Sequence, residues 1–182
     1  MKVDTIITIF KIIFLIGIIN GAKYAIADTN ITQQTFDQCN LLRVIDGDTF
    51  AVTCGESKEV RKVRLYCIDA PEKVQIPYSV PATAKLTELL KANKFIVNIK
   101  NKDFYGRYVG EVIDSNKLNI NQELVRLGFV AVYIDYCNEE DYYDAQDEAK
   151  KNFRGIWMAY NVLLQQTPWV YRQNKKHGLY KK

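Results

Sequence analysis

The stretch 64–72 reads R-L-Y-C-I-D-A-P-E. Its apolar first half favours a β-strand, and Pro71, which has no backbone N–H to donate to a neighbouring strand, ends it. The stretch therefore predicts a strand end that places the guanidinium of Arg64 close to the carboxylates of Asp69 and Glu72. Taken alone, this group is explained more simply by a salt bridge at the edge of a sheet.

Two further stretches combine a turn, a strand and a charged side chain. Asp-Gly at 46–47 stands between two apolar runs and predicts a tight hairpin turn, which leaves Asp48 just after the turn. The stretch 103–107 reads D-F-Y-G-R and is again a turn before a strand, with Arg107 at the start of the strand. Each stretch alone is a weak signal, but their order and spacing together indicate one shared site.

The residue types in these stretches suit metal-assisted chemistry on a phosphate ester. Asp48 and Asp69 offer hard oxygen ligands, and the only histidine is His177 near the carboxyl terminus, so a hard cation such as Ca²⁺ or Mg²⁺ is favoured over zinc. A guanidinium stays protonated and offers a planar fork that matches two phosphate oxygens. Arg64 and Arg107 are therefore suited to bind a phosphodiester and to stabilise its transition state.

The whole pattern resembles the staphylococcal nuclease family. The similarity runs from about residue 41 to residue 172. It is carried by V-I-D-G-D-T at 44–49, R-L-x-x-I-D-A-P-E at 64–72, D-x-Y-G-R at 103–107, L-V-R-x-G at 124–128 and G-I-W at 155–157, and P-W-x-Y-R at 168–172 is similar to the tail of many bacterial members.

The resemblance implies a calcium-dependent endonuclease that hydrolyses DNA or RNA by in-line attack of water on phosphorus. It implies that Ca²⁺ is the cofactor and that its ligands are the side chains of Asp48 and Asp69 and the backbone carbonyl of Ala70. Nucleic acid would be the substrate, and a monomer is expected because no stable protein partner is implied.

The resemblance also gives roles to the remaining site residues. Glu72 would act as general base, and Arg64 and Arg107 would be the catalytic arginines. Tyr105 and Tyr133 are candidates for substrate contacts through base stacking, and ordinary aromatic packing explains them equally well. The alternative function is a catalytically silent OB-fold module that binds nucleic acid or protein, but such a module would not need all of these charged residues together.

The amino-terminal segment, 1–27, is predicted to be a signal peptide. Lys2 precedes the apolar run 6–19, and Ala-Ile-Ala at 25–27 has the small-x-small form of a cleavage site. We therefore expect export, to the periplasm or out of the cell. An uncleaved membrane anchor is the alternative, although Lys11 keeps the apolar run short of the roughly 18 residues expected of a spanning helix.

The rest of the chain, 28–182, has the length of a single domain. The formal net charge of the whole chain is +4, but the basic residues concentrate in the tail 172–182 and the body before it is slightly acidic. Overall basicity is therefore no argument for nucleic-acid binding. A solvated tail is the simpler interpretation of 172–182, and a phosphate-binding arm is the alternative.

All four cysteines follow the predicted cleavage site. An even number in an exported chain favours disulfides, and four cysteines allow three connectivities. If the turn at 46–47 centres the first hairpin, Cys39 lies nearly opposite Cys54, which leaves Cys67 to pair with Cys137. Buried free thiols are the alternative.

The predicted order of elements is strand, strand, strand, helix, strand, strand, helix, helix. Glycines, cap residues and apolar spacing predict three helices: from Ser79 to about Ala92, from about 119–121 to Gly128, and from a cap at Asn138 to Gly155. This mainly β fold with helices suits a five-stranded OB-fold barrel, which is the fold of the family. The strands are expected at 41–45, 49–53, 60–68, 95–100 and 107–114.

Overall fold

The computed structural model describes residues 34–56, 58–158 and 167–178. The predicted signal peptide lies outside these residues. Within them, every helix is too short or too polar to cross a membrane.

In the part of the chain that the structure describes, eight strands build two sheets. They are β1 (Thr35–Phe36), β2 (Cys39–Val44), β3 (Thr49–Cys54), β4 (Arg61–Leu65), β5 (Ile68–Asp69), β6 (Phe95–Lys102), β7 (Tyr108–Asp114) and β8 (Ala131–Val132). The larger sheet has the order β1-β6-β7-β4-β3-β2, and β5 pairs with β8 in the smaller one. Strands β4 and β7 run parallel, and the other paired strands run antiparallel.

Among the described residues, four α-helices accompany the strands. They are α1 (Ser79–Ala92), α2 (Ile120–Arg126), α3 (Glu140–Lys151) and α4 (Pro168–Lys176), and a single 3₁₀ turn covers Gly155–Trp157. The five longer strands and the first three helices follow the predicted order, so the prediction of an OB-fold-like β-plus-α fold is confirmed. Helix α4 was not predicted.

One predicted strand is divided in two. The expected strand 60–68 ends as β4 at Leu65, and the chain turns at Cys67, whose φ of 66° lies in the left-handed region. After this turn, β5 leaves β4's sheet and pairs with β8. The turn thus places Asp69, at the end of β5, opposite Ala131, the first residue of β8.

Helix α3 also differs from the prediction in detail. Its cap residue is Glu139 instead of Asn138, without a capping side-chain hydrogen bond, and the helix ends before Gly155. Tyr142 and Ala145 are buried as predicted, but Phe153 is 62% exposed because it lies beyond the last helical turn.

Two motif glycines pack against each other's backbone. Gly128 and Gly155 both have positive φ, 74° and 53°, and the N–H of Ile156 donates to the carbonyl of Gly128 at 2.8 Å. A Cβ atom on either glycine would collide with backbone atoms, on Arg154 in one case and on Gly128 in the other. This contact joins the end of α2 to the 3₁₀ turn.

The four cysteines form two disulfides. Cys39 bonds to Cys54 across the β2–β3 hairpin, where they are also paired in register, and Cys67 bonds to Cys137. This is the pairing that the hairpin turn favours. The second disulfide joins the turn before β5 to the segment between β8 and α3.

The buried side chain of Asn121 connects α2 to the sheet. Its Nδ2 donates to the carbonyls of Tyr66 and Gly110, both at 3.1 Å, and its Oδ1 accepts from the N–H of Val112, also at 3.1 Å. Asn121 is fully buried, so water cannot replace these bonds.

We predict that Asn121→Ala lowers the free energy of unfolding by about 2–4 kcal/mol, because the Val112 N–H and the Tyr66 carbonyl each lose a buried partner. Denaturant unfolding measures the change. Asn40→Ala is the matched control, since Asn40 is exposed on β2 and its loss should cost no more than about 0.5 kcal/mol. Equal effects of the two substitutions would contradict the assigned role of Asn121.

Candidate active site

The turn between β2 and β3 places Asp48 in contact with the residue that follows β5. Gly47 makes this approach possible, because a Cβ atom there would stand 2.8 Å from the Cβ atoms of both Ala70 and Ala82. No real side chain fits at that distance. The glycine of the predicted hairpin thus also serves to bring two parts of the site together.

The carboxylate of Asp48 is buried and fully bonded. Oδ2 accepts from the N–H of Ala70 at 2.8 Å and lies 3.2 Å from Arg64 Nη2, and Oδ1 accepts from the hydroxyl of Thr49 at 2.8 Å. Burial opposes ionisation of Asp48, but the Arg64 charge and the Ala70 N–H outweigh it and hold its pKa below the ordinary value. Asp48 is therefore a fixed anion at neutral pH.

Arg64 bridges two strand ends. Its Nη2 lies 3.2 Å from Asp48 and 3.3 Å from Asp69, and Nη1 donates to the carbonyl of Leu65 at 3.0 Å. The register brings this about, because Thr49 of β3 is paired with Arg64 of β4. The structure thus brings Arg64 together with Asp48 and Asp69, two of the carboxylates that the sequence predicts for the shared site.

The carboxylates of Asp69 and Glu72 share a second guanidinium, from Arg172 of α4. Arg172 Nη2 lies 2.7 Å from Asp69 Oδ2, and Nη1 lies 3.3 Å from Asp69 Oδ1 and 2.9 Å from Glu72 Oε1. Burial raises the pKa of Asp69, and the guanidiniums of Arg172 and Arg64 limit that rise. Burial also opposes the charge of Arg172, but hydrogen bonds to Asp69 and Glu72 outweigh it and raise its pKa.

Arg172 is the residue that sequence reasoning missed. The solvated-tail interpretation is wrong for this residue, since Arg172 lies within a helix and is bonded to two predicted site residues. The available signal was the P-W-x-Y-R stretch at 168–172, which the resemblance includes but to which no role was given.

Tyr133 lies where α4 meets the site. Its ring stacks on that of Trp169, with centroids 6.2 Å apart and planes at 7°, and it also contacts the ring of Tyr136 at 4.7 Å. The Arg172 guanidinium lies 5.8 Å from the Tyr133 centroid. Tyr133 directly follows β8, and its backbone N–H donates to the carbonyl of Cys67 at 2.9 Å, just before the start of β5.

Arg107 and Tyr105 occupy a separate turn. Asp103 accepts from the N–H groups of Tyr105 and Arg107, at 3.0 and 2.9 Å, and its Oδ2 accepts from Arg107 Nε at 2.8 Å. Arg107 is therefore paired with Asp103 and not with the carboxylates beside Arg64. It nevertheless directly precedes β7, which runs parallel to β4, and Tyr105 is 73% exposed.

Asp46 adds a fourth carboxylate that the sequence reading treated only as a turn residue. Its Oδ1 accepts from the N–H of Asp48 at 3.2 Å. Burial and the neighbouring charge of Asp48 raise the pKa of Asp46 to about 6. The D-G-D sequence at 46–48 places two carboxylates in one turn, and this spacing indicates that their negative charges lie close together.

The donors of the site suit a hard cation. As the described residues lie, no three histidine, cysteine, aspartate or glutamate side chains are grouped tightly enough to hold a metal ion. However, the guanidinium of Arg172 already lies between Asp69 and Glu72, so these carboxylates are arranged around positive charge. All four cysteines are in disulfides, and the carboxylates described above are oxygen donors, the ligands of Ca²⁺ and Mg²⁺.

Comparisons with known proteins agree with this geometry. The sequence profile of the family described as Staphylococcal nuclease homologue matches residues 62–159, which include Arg64, Asp69, Glu72 and Arg107. Asp48 precedes the matched range and Arg172 follows it.

Several curated proteins are similar over most of the chain. An uncharacterized endonuclease of Escherichia coli O157:H7 is 34% identical over 135 residues, which cover 74% of this chain and 84% of that protein. An uncharacterized endonuclease of Haemophilus influenzae is 34% identical over 138 residues, 76% of this chain and 74% of that protein. Endonuclease YhcR of Bacillus subtilis is 32% identical over 152 residues, which are 74% of this chain but only 12% of that protein. The chain therefore belongs to the staphylococcal nuclease family, and it is a nuclease.

Proposed function

We propose that this protein is a calcium-dependent endonuclease that hydrolyses phosphodiester bonds of DNA or RNA by in-line attack of water. The observation that supports this most directly is the convergence of Asp48, Arg64, Asp69 and Glu72, from a hairpin turn and the ends of β4 and β5, in a single small volume. A silent binding module has no need of buried like charges held this closely.

The metal would be held by the side chains of Asp48 and Asp69 and by the carbonyl of Ala70. Ala70 is buried beside Asp48, to which its own N–H donates, so a hydrogen bond fixes the two segments that carry these donors against each other. A bound divalent cation supplies Lewis-acid stabilisation of the charge that develops on the phosphoryl oxygens.

Glu72 would accept a proton from the attacking water. It is half-buried, and its N–H donates to the side chain of Gln75 at 2.8 Å, which fixes the turn that carries it. A carboxylate that solvent can reach and that lies outside the buried pair suits a general base.

Arg64 and Arg107 would stabilise the transition state. Arg64 is fixed by Asp48 and Asp69, and Asp103 holds only the Nε of Arg107, which leaves the terminal nitrogens of Arg107 for phosphate oxygens. Removing one such donor typically costs roughly two to three powers of ten in rate. Tyr105 and Tyr133 are exposed or half-exposed rings that could stack with bases.

Export is also part of the proposal. Both disulfides lie in the body of the domain, and disulfides persist in oxidising compartments. This supports the signal-peptide interpretation of residues 1–27.

We predict that the purified 28–182 protein degrades single-stranded DNA with Ca²⁺ but not with EGTA, and that Glu72→Gln lowers kcat by about 10²–10⁴ because no proton acceptor remains. Glu88→Gln, at an exposed position on α1, is the matched control and should keep full activity. DNA that is bound but never cut by the folded wild-type protein would instead establish the binding module.

We predict that Asp69→Asn weakens Ca²⁺ binding at least tenfold, about 1.4 kcal/mol, because one carboxylate charge is removed from the ligand set. Titration calorimetry measures this without substrate. Asp144→Asn makes the same change at an exposed position on α3 and should leave the isotherm as it is. An unaltered isotherm for Asp69→Asn would rule out Asp69 as a ligand.

We predict that Asp103→Ala lowers kcat/KM about tenfold or more, because the turn and the Nε of Arg107 both lose their acceptor and the guanidinium is misplaced. Asp103→Asn keeps an oxygen for the two backbone N–H groups and should recover part of the loss. If both variants match the wild type in steady-state kinetics, Asp103 does not position Arg107.

A further inference from the structure

Helix α4 contributes a charged group to the site from the far end of the chain. Arg172 is 103 residues from Asp69 and 100 from Glu72, yet it binds both carboxylates. Its fork engages both oxygens of Asp69, at 2.7 and 3.3 Å, in the bidentate geometry that makes guanidinium–carboxylate pairs strong. Helix α4 lies beyond residues 62–159, the part that the family profile matches.

Aromatic packing holds α4 in place independently of these ion pairs. Pro168 is buried, and Trp169 stacks on Tyr133 with nearly parallel rings. Arg172 follows Trp169 by three residues and therefore lies on the same face of the helix. The guanidinium would thus stay beside the site even if its bonds to the carboxylates were broken.

The oxygens that Arg172 occupies are those that a cation would need. Asp69 is buried, and both of its oxygens are committed to Arg172, with Arg64 sharing one of them. A cation bound by Asp69 must replace the fork of Arg172. The displaced guanidinium would then face a site of increased positive charge, and the anion that such a site would admit is a phosphate of the substrate.

Charge balance points the same way. Asp48, Asp69 and Glu72 carry three negative charges, and Arg64 and Arg172 carry two positive ones. Addition of a divalent cation and one phosphodiester makes these five side chains neutral in sum, and the carboxylate of Asp46 beside them adds further negative charge. Without Arg172 the same assembly would keep a negative charge and bind a polyanion less well.

We propose that Arg172 is a third substrate-binding guanidinium of this nuclease, which is held by Asp69 and Glu72 in the metal-free protein and binds a phosphate of the nucleic acid once Asp69 is committed to a cation. The proposal rests on the proposed function. It requires Arg172 to oppose Ca²⁺ binding and to favour substrate binding, two effects that are measured separately.

Calcium titration of the substrate-free protein tests the first effect. Arg172→Met keeps the aliphatic stem and the helix and removes the competing charge, so Ca²⁺ affinity should rise severalfold. Lys176→Met removes the same charge from an exposed position on α4 and should leave the affinity unchanged. If the wild type and Arg172→Met bind Ca²⁺ with equal affinity, Arg172 does not compete with the cation for Asp69.

Steady-state cleavage of single-stranded DNA at saturating Ca²⁺ tests the second effect. In Arg172→Met, KM should rise about tenfold or more, since a charge-assisted hydrogen bond to substrate is lost. Arg172→Lys should reverse part of this increase in KM. The KM of Lys176→Met should remain within about twofold of the wild-type value. Similar melting temperatures at saturating Ca²⁺, where the cation would take the place of Arg172 at the buried Asp69, would show that the fold is intact.

Two other outcomes have distinct meanings. If Arg172→Met binds Ca²⁺ more tightly and cuts as well as or better than the wild type, Arg172 is only an inhibitory cap and the substrate-binding role is refuted. If the wild-type protein itself fails to cut DNA with Ca²⁺, the proposed function is refuted as well. If the wild type cuts DNA and Arg172→Met has the same KM and Ca²⁺ affinity, only the inference about Arg172 is refuted.

Discussion

The buried carboxylate of Asp48 is the contact on which both the fold and the site depend. It accepts hydrogen bonds from Ala70 and Thr49 and pairs with Arg64, so it ties the β2–β3 turn to the strand end that carries Asp69. A buried charge is tolerated only with its partners, and removal of one partner typically costs about 3–5 kcal/mol. The residues that would hold a cation are therefore also those that lock the two segments together.

Much of this arrangement could be predicted because its signals are local. Alternating apolar residues, an Asp-Gly turn and a proline at a strand end give the five longer strands. The pairing of adjacent antiparallel strands then places Thr49 opposite Arg64, and with it Asp48 beside Arg64. Short-range strand pairing was enough to bring three of the charged residues together.

The remaining features depend on contacts that a local pattern does not contain. Trp169 and Tyr133 are far apart in the sequence and come into contact only in the folded protein. That contact determines where Arg172 lies. Read locally, a run of basic residues at the end of a chain is indistinguishable from a solvated tail. The division of the expected strand 60–68 is similar, since the turn at Cys67 is fixed by pairing with β8 and by the disulfide to Cys137.

The two guanidiniums within the acidic cluster have a consequence for how the protein matures. Arg64 and Arg172 neutralise most of the charge of Asp48, Asp69 and Glu72, so the cluster does not need an ion to offset its own repulsion. The protein can therefore reach its native conformation without a bound metal ion. If the proposed calcium dependence holds, the polypeptide would fold without the ion and become active only once the ion binds.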